Sequence, residues 1–163
     1  MKKFYLFLVP FLFVVTLTNA QQVNLGLNAG LVTGDFKGAT DYSLTLEASY
    51  LYEISDKFHL GAIAGISNYF TAIDGGSDEQ YVPLALALRV PIAERFSLGL
   101  DLGYAFTLDD AGEDGFYYSP RLSLKLNKAL ALTAAYKVIQ INVQPLDIDF
   151  ELNSFNVGLE FKL

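Results

Sequence analysis

The chain has 163 residues, the size of one domain, a formal charge of −7 and no cysteine. The acidic balance argues against a nucleic-acid partner, and the missing thiols exclude disulfides, thiolate metal sites and a cysteine nucleophile. Hydrophobic residues make up 52% of the chain. Even so, no apolar run beyond the first 20 residues reaches the roughly 20 that a membrane helix needs, so any crossing of a bilayer must use a closed sheet.

The first segment has the layout of a secretory leader. Lys2 and Lys3 form a charged start, Phe4 to Leu17 an apolar stretch, and Thr18-Asn19-Ala20 a small-residue cleavage site. The apolar stretch holds Pro10 and is too short to span a bilayer. A cleaved signal peptide over residues 1–20 and one domain over residues 21–163 are expected, with no second domain behind it.

From there one pattern recurs, apolar and small or polar residues alternating with period two, the signature of a strand with two unlike faces. Strand one, about 22–32, sets Val23, Leu25, Leu27, Ala29 and Leu31 against Asn24, Gly26, Asn28 and Gly30. Strand two, about 42–53, sets Tyr42, Leu44, Leu46, Ala48, Tyr50 and Tyr52 against Ser43, Thr45, Glu47 and Ser49. Strand three, about 57–69, opposes Phe58, Leu60, Ala62, Ala64 and Ile66 to His59, Gly61, Gly65 and Ser67. Strand four, about 80–92, opposes Val82, Leu84, Leu86, Leu88 and Val90 to Ala85, Ala87 and Arg89. Strand five, 95–108, carries Phe96, Leu98, Leu100, Leu102, Tyr104 and Phe106 against Ser97, Gly99, Asp101, Gly103 and Ala105. Strand six, about 116–126, has Phe116, Tyr118, Leu122, Leu124 and Leu126 against Ser119, Arg121, Ser123 and Lys125. Strand seven, about 129–141, has Leu130, Leu132, Ala134, Tyr136 and Val138 against Ala131, Thr133, Ala135 and Lys137. Strand eight, 154–163, has Phe155, Val157, Leu159, Phe161 and Leu163 against Ser154, Asn156, Gly158, Glu160 and Lys162.

The connections alternate in length. Residues 54–56, 93–94 and 127–128 are tight turns, whereas 33–41, 71–79, 109–115 and 142–151 are longer and rich in Gly, Asp, Ser and Thr. Short turns at one end and long loops at the other characterise bacterial outer-membrane barrels. The opposing reading is a secreted soluble ligand-binding barrel with its apolar face inward. The bulky face is too large for that, because an eight-stranded interior only just holds its side chains. The glycines and alanines on the polar face suit a crowded lumen and have no use in water. Aromatics on the bulky face also gather at strand ends: Tyr52, Phe58, Phe96 and Phe161 near the short turns, and Tyr42, Phe70, Tyr104, Phe106, Phe116, Tyr118 and Phe155 near the long loops. Two aromatic belts around an aliphatic band fit the two interfaces of a bilayer. The predicted fold is all-β, an eight-stranded antiparallel up-and-down transmembrane β-barrel.

With these residues in view, residues 22–163 resemble the small eight-stranded outer-membrane β-barrel family, the OmpA- and OmpX-like proteins of Gram-negative bacteria. The ending Gly158-Leu159-Glu160-Phe161-Lys162-Leu163 is similar to that family's assembly signal, with Gly158, Phe161 and Leu163 at the marked positions, although the last residue is Leu163 where many members carry an aromatic. The resemblance implies an outer-membrane location among its lipids and recognition by the barrel-insertion machinery; lipopolysaccharide is a candidate partner of the acidic loops, bridged by a divalent cation.

Charges on the polar face should pair within a narrow lumen: Glu47, Asp101 and Glu160 with Arg89, Arg121, Lys125 and Lys137. They are expected to lock the barrel; the competing role is a charged path or a rearranging gate. The long-loop end is acidic, and Asp109, Asp110, Glu113 and Asp114 are candidate contacts for a divalent cation, although their spacing is not that of an EF-hand. No resident metal or cofactor is expected. The one histidine, His59, falls far from the acidic loops, so no His-assisted nucleophile can be assembled. The expected protein is a monomeric, non-catalytic barrel with a structural or surface-contact role. The alternative is a narrow porin-like conduit for small solutes or apolar molecules.

Overall fold

The computed structural model describes residues 21–163 except 74, 110–111 and 144–147; the expected leader, residues 1–20, and Asp110 lie outside the described residues. Eight strands close into one barrel in chain order, each antiparallel to the next, with β1 meeting β8. They are β1 (Gln21–Gly34), β2 (Thr40–Ser55), β3 (Phe58–Thr71), β4 (Glu79–Pro91), β5 (Phe96–Thr107), β6 (Gly115–Lys125), β7 (Leu130–Val143) and β8 (Ile148–Lys162).

Two boundaries differ from the sequence expectation in a way that changes the shape. Strand eight begins six residues earlier, at Ile148, and β7 runs on to Val143. The expected loop over 142–151 is therefore mostly hairpin. Its added rungs are held by polar cross-strand pairs: Gln140 Nε2 donates to Glu151 Oε1 at 3.1 Å, and Asn142 Nδ2 to Asp149 Oδ1 at 2.8 Å. Apolar residues also alternate here, Ile148, Phe150 and Leu152 against Asp149, Glu151 and Asn153, but in the phase opposite to Phe155–Leu163, so the outward-apolar pattern that marks the rest of the strand stops at Ser154 although the ladder continues.

The cross-strand register determines the width. Starting at Tyr81 and moving from partner to partner through Ser67, Thr45, Asn28, Gly158, Thr133, Ser123 and Ser97, the path returns to β4 at Pro91, ten residues along the same strand. Such a stagger tilts the strands by about 40° and leaves an interior filled by side chains. The shortest strand, β6, has 11 residues. At about 3.3 Å per residue and that tilt it climbs roughly 28 Å, close to the thickness of the hydrocarbon core.

The bulky face is outside. Leu25, Leu27, Leu46, Leu84, Leu86, Leu102, Leu122 and Leu132 are exposed around the girth, with Leu86 at 66%. The smaller partners of the alternation line the axis, including Asn24, Asn28, Ser43, Thr45, Ser67, Asp101 and Asn156, all buried. This orientation removes the soluble-barrel alternative, which needs the leucines at the centre. Val138 is an exception on the outer face, buried between Tyr118 on β6 and Asn153 on β8 in the register.

Small residues make the closure possible. A Cβ at Gly103 would collide with the Leu84 carbonyl oxygen and the Ala85 Cα on the adjacent strand, backbone atoms that cannot yield. Gly103→Val is therefore expected to block closure, read as loss of the compact band on an unheated gel. Wild-type folding yield in that variant would contradict the packing described here.

Candidate functional site

The lumen is built in layers, each produced by inward positions at matching height in the register. At the short-turn end the wall opens into a cavity of about 550 Å³ lined by Gln22, His59, Arg89, Lys125, Glu160 and Lys162 among others. His59 Nε2 lies 3.8 Å from Glu53 Oε2 there, far from the loops at the other end.

Above this mouth sits a chain of alternating charges. Lys137 Nζ donates to Glu47 Oε2 at 3.3 Å, and Arg121 Nη1 donates to Glu47 Oε1 at 2.8 Å. The other arm of Arg121 places Nη2 2.6 Å from Asp101 Oδ2, and Arg89 Nη1 donates to Asp101 Oδ1 at 2.6 Å. Glu160 Oε2 stands 3.9 Å from Arg121 Nη1. Three cations thus meet three anions, and Lys137 is 1% exposed. Buried charges of this kind hold only because each has an opposite charge in reach. Gly99 provides the room: a Cβ there would lie 2.6 Å from Arg121 Cγ and 2.8 Å from Arg89 Cδ. Of the seven charges assigned to the lumen, six come together. Lys125 does not. It is exposed at the mouth, at the end of β6 and two inward positions below Arg121, because the inward face of a strand continues past the sealed part of the lumen.

Beside the charges, amides and hydroxyls of β1, β2, β3, β7 and β8 hydrogen-bond one another. Thr133 Oγ1 donates to Asn28 Oδ1 at 3.1 Å, Asn24 Nδ2 to Ser49 Oγ at 3.1 Å, and Thr45 and Ser67 hydroxyls meet at 2.9 Å. Toward the long-loop end the lumen changes character. Tyr69, Tyr81, Tyr117, Ile139, Leu152 and Val32 form an apolar plug, with Tyr69 and Tyr81 edge to face at 5.9 Å. This layer lies outside the charges and small residues that the sequence places on the inner face. Its signal is present: Ile63, Tyr81, Tyr117 and Ile139 occupy the inward parity of strands whose other inward residues are small or polar, and a bulky apolar residue at such a position must fill the axis.

Outside the plug lies a bowl of about 790 Å³ whose wall carries Asp35, Asp78, Glu79, Asp109 and Glu113 and whose floor includes Phe36, Tyr81, Ile141 and Phe150. Several acids of the bowl, and Asp114 beside it, secure backbone. Asp109 Oδ2 accepts from the Gln80 amide at 2.9 Å, Asp114 Oδ1 from Thr107 at 2.8 Å, Asp78 Oδ1 from Thr71 at 3.0 Å, and Asp35 Oδ2 from Glu151 at 3.2 Å. Glu113 lines the bowl without such a bond among the described residues. Among the described residues no three acidic or histidine side chains converge as a metal cage. Of the three assembly-signal residues, Gly158 faces the lumen against Asn28, and Phe161 and Leu163 are exposed on the outside at the short-turn end.

A closed eight-stranded barrel with an aliphatic exterior, a charge-paired lumen and aromatic belts defines a transmembrane β-barrel protein. The model of the outer membrane protein β-barrel domain matches residues 5–162. The chain belongs to that family and so to the outer membrane of Gram-negative bacteria. No curated protein sequence matches it. Among solved structures, the outer membrane protein Ail of Yersinia pestis in a phospholipid bilayer nanodisc superposes with TM-score 0.60 at 14% identity, covering 88% of this chain and 98% of Ail. The N-terminal β-barrel domain of Pseudomonas aeruginosa OprF superposes with TM-score 0.59 at 10% identity, covering 87% of this chain and 97% of that one. Neisserial surface protein A gives 0.53 at 12% identity, covering 89% and 98%. At such identities the likeness is one of fold.

Proposed function

We propose that this protein is a non-catalytic, non-conducting barrel that anchors an acidic, aromatic-floored bowl at the outer surface for contact with cationic groups, including the cations that bridge lipopolysaccharide. The observation that carries the reading is the filled lumen. The ion-pair chain and the tyrosine plug lie one above the other between the two cavities, so ions meet first a neutralised charge cluster and then an apolar layer. Eight strands leave an interior only wide enough for side chains. Function is therefore assigned to the open bowl and not to the axis.

Planar-bilayer recording of the reconstituted barrel is expected to show no steady unitary current. A steady current would favour the conduit reading. In neutral-lipid nanodiscs, a short oligolysine peptide is expected to bind with salt sensitivity and to bind more weakly to Glu113→Gln. Absence of such binding would remove the contact role.

A further inference from the structure

We propose that the cavity at the short-turn mouth is a binding site for a multiply charged phosphate-bearing anion. Short turns face the periplasm in bacterial barrels, so the ligand would enter from there. This site is separate from the acidic bowl, at the opposite end of the barrel.

The charge distribution is the first observation. The chain is acidic as a whole, at −7, yet the lining of this cavity carries Arg89, Arg95, Lys125, Lys128 and Lys162 against Glu94 and Glu160. Among the described residues, Arg95, Lys125, Lys128 and Lys162 take part in no ion pair. Lys125 and Lys162 continue the inward parity of Arg121 and Glu160. They therefore ring the opening, whereas lysines serving a lipid-facing belt would occupy the outward parity.

The second observation is at the floor. Arg89 is 5% exposed and lines the cavity. Its Nη1 is engaged by Asp101 and by the Leu88 carbonyl, but its Nη2 has no hydrogen-bond partner among the described residues. Nη2 is buried as well as unpartnered; a guanidinium offers a fork of donors that matches phosphate oxygens, and the Arg89 side chain has to turn toward the cavity to present that arm. The volume, about 550 Å³, is that of a small-molecule site and exceeds what a single phosphate fills. The best match is a ligand with two or more phosphate groups, or one phosphate on an organic body.

The test is calorimetric titration of inorganic pyrophosphate into the refolded barrel in a neutral detergent. Saturable one-to-one binding is expected, weaker at high salt. Lys125→Gln combined with Lys162→Gln should weaken it about tenfold or more, since two charge-assisted contacts are lost. Both lysines are exposed, so that variant should keep the heat-dependent gel shift of the folded barrel. Arg89→Lys, which retains charge and loses the fork, should also bind more weakly. Lys37→Gln, a loop lysine at the other end, should bind as wild type. No saturable binding, or equal loss in the Lys37 variant, would overturn the proposal. Repeating the titration in phosphatidylcholine nanodiscs with and without phosphatidylglycerol distinguishes the source. Competition by the anionic lipid assigns the site to a lipid headgroup, and its absence to a soluble anion.

Discussion

Glu47→Ala is expected to destabilise the barrel by about 3–5 kcal/mol, the cost of breaking a buried ion pair by removing one partner. Glu47 accepts from both Arg121 and Lys137, and all three are buried. Alanine leaves two cations in the lumen with one carboxylate removed. Asp101 is committed to Arg89 as well as Arg121, so it cannot compensate. Lys137→Met in the same background should recover part of the loss, because one orphaned charge is then gone. Urea unfolding in lipid vesicles, followed by tyrosine fluorescence and gel shift, measures both. A loss below about 1 kcal/mol, the scale of exposed pairs, would mean that the network contributes no more than a surface salt bridge.

Leu86→Arg is expected to cost about 2–4 kcal/mol in a bilayer, the range for a cation on the lipid face near the midplane. Leu86 is 66% exposed and pairs with Ala62 and Leu102 halfway along β4. In a water-soluble barrel the same exposed leucine would accept arginine at almost no cost, within about 0.5 kcal/mol. Ile73→Arg is the control: Ile73 is similarly exposed, at 57%, but lies in the loop between β3 and β4, where the cost should be near zero. Equal costs at the two sites would show that lipid does not surround β4.

Much of the barrel was legible residue by residue. Alternation in 96–106 places Leu98, Leu100 and Leu102 on one face and Gly99, Asp101 and Gly103 on the other, and the structure puts the first set outside and the second inside. The inward charges were legible for the same reason, since parity alone selects Glu47, Asp101 and Arg121. Lys125 departs from the expected network because parity tells the face and not the depth. The tyrosine plug escaped because Tyr81 and Tyr117 looked like breaks in a small-residue pattern, although they mark where the pattern stops leaving space. The first six residues of strand eight are hidden because Ile148, Phe150 and Leu152 alternate in the phase opposite to Phe155–Leu163, and the acids between them resemble a loop.

Local order in the chain was enough to determine the number of strands, which face meets lipid and where the belts fall. Each of those follows from two-residue periodicity and composition within a dozen positions. Only closure decided which inward residues meet. Glu47 and Arg121 are 74 positions apart, and they touch because the ten-residue stagger brings β2 and β6 to one height across a narrow axis. That stagger is a property of the closed sheet as a whole, satisfied when every strand has two partners, and no single stretch of sequence contains it.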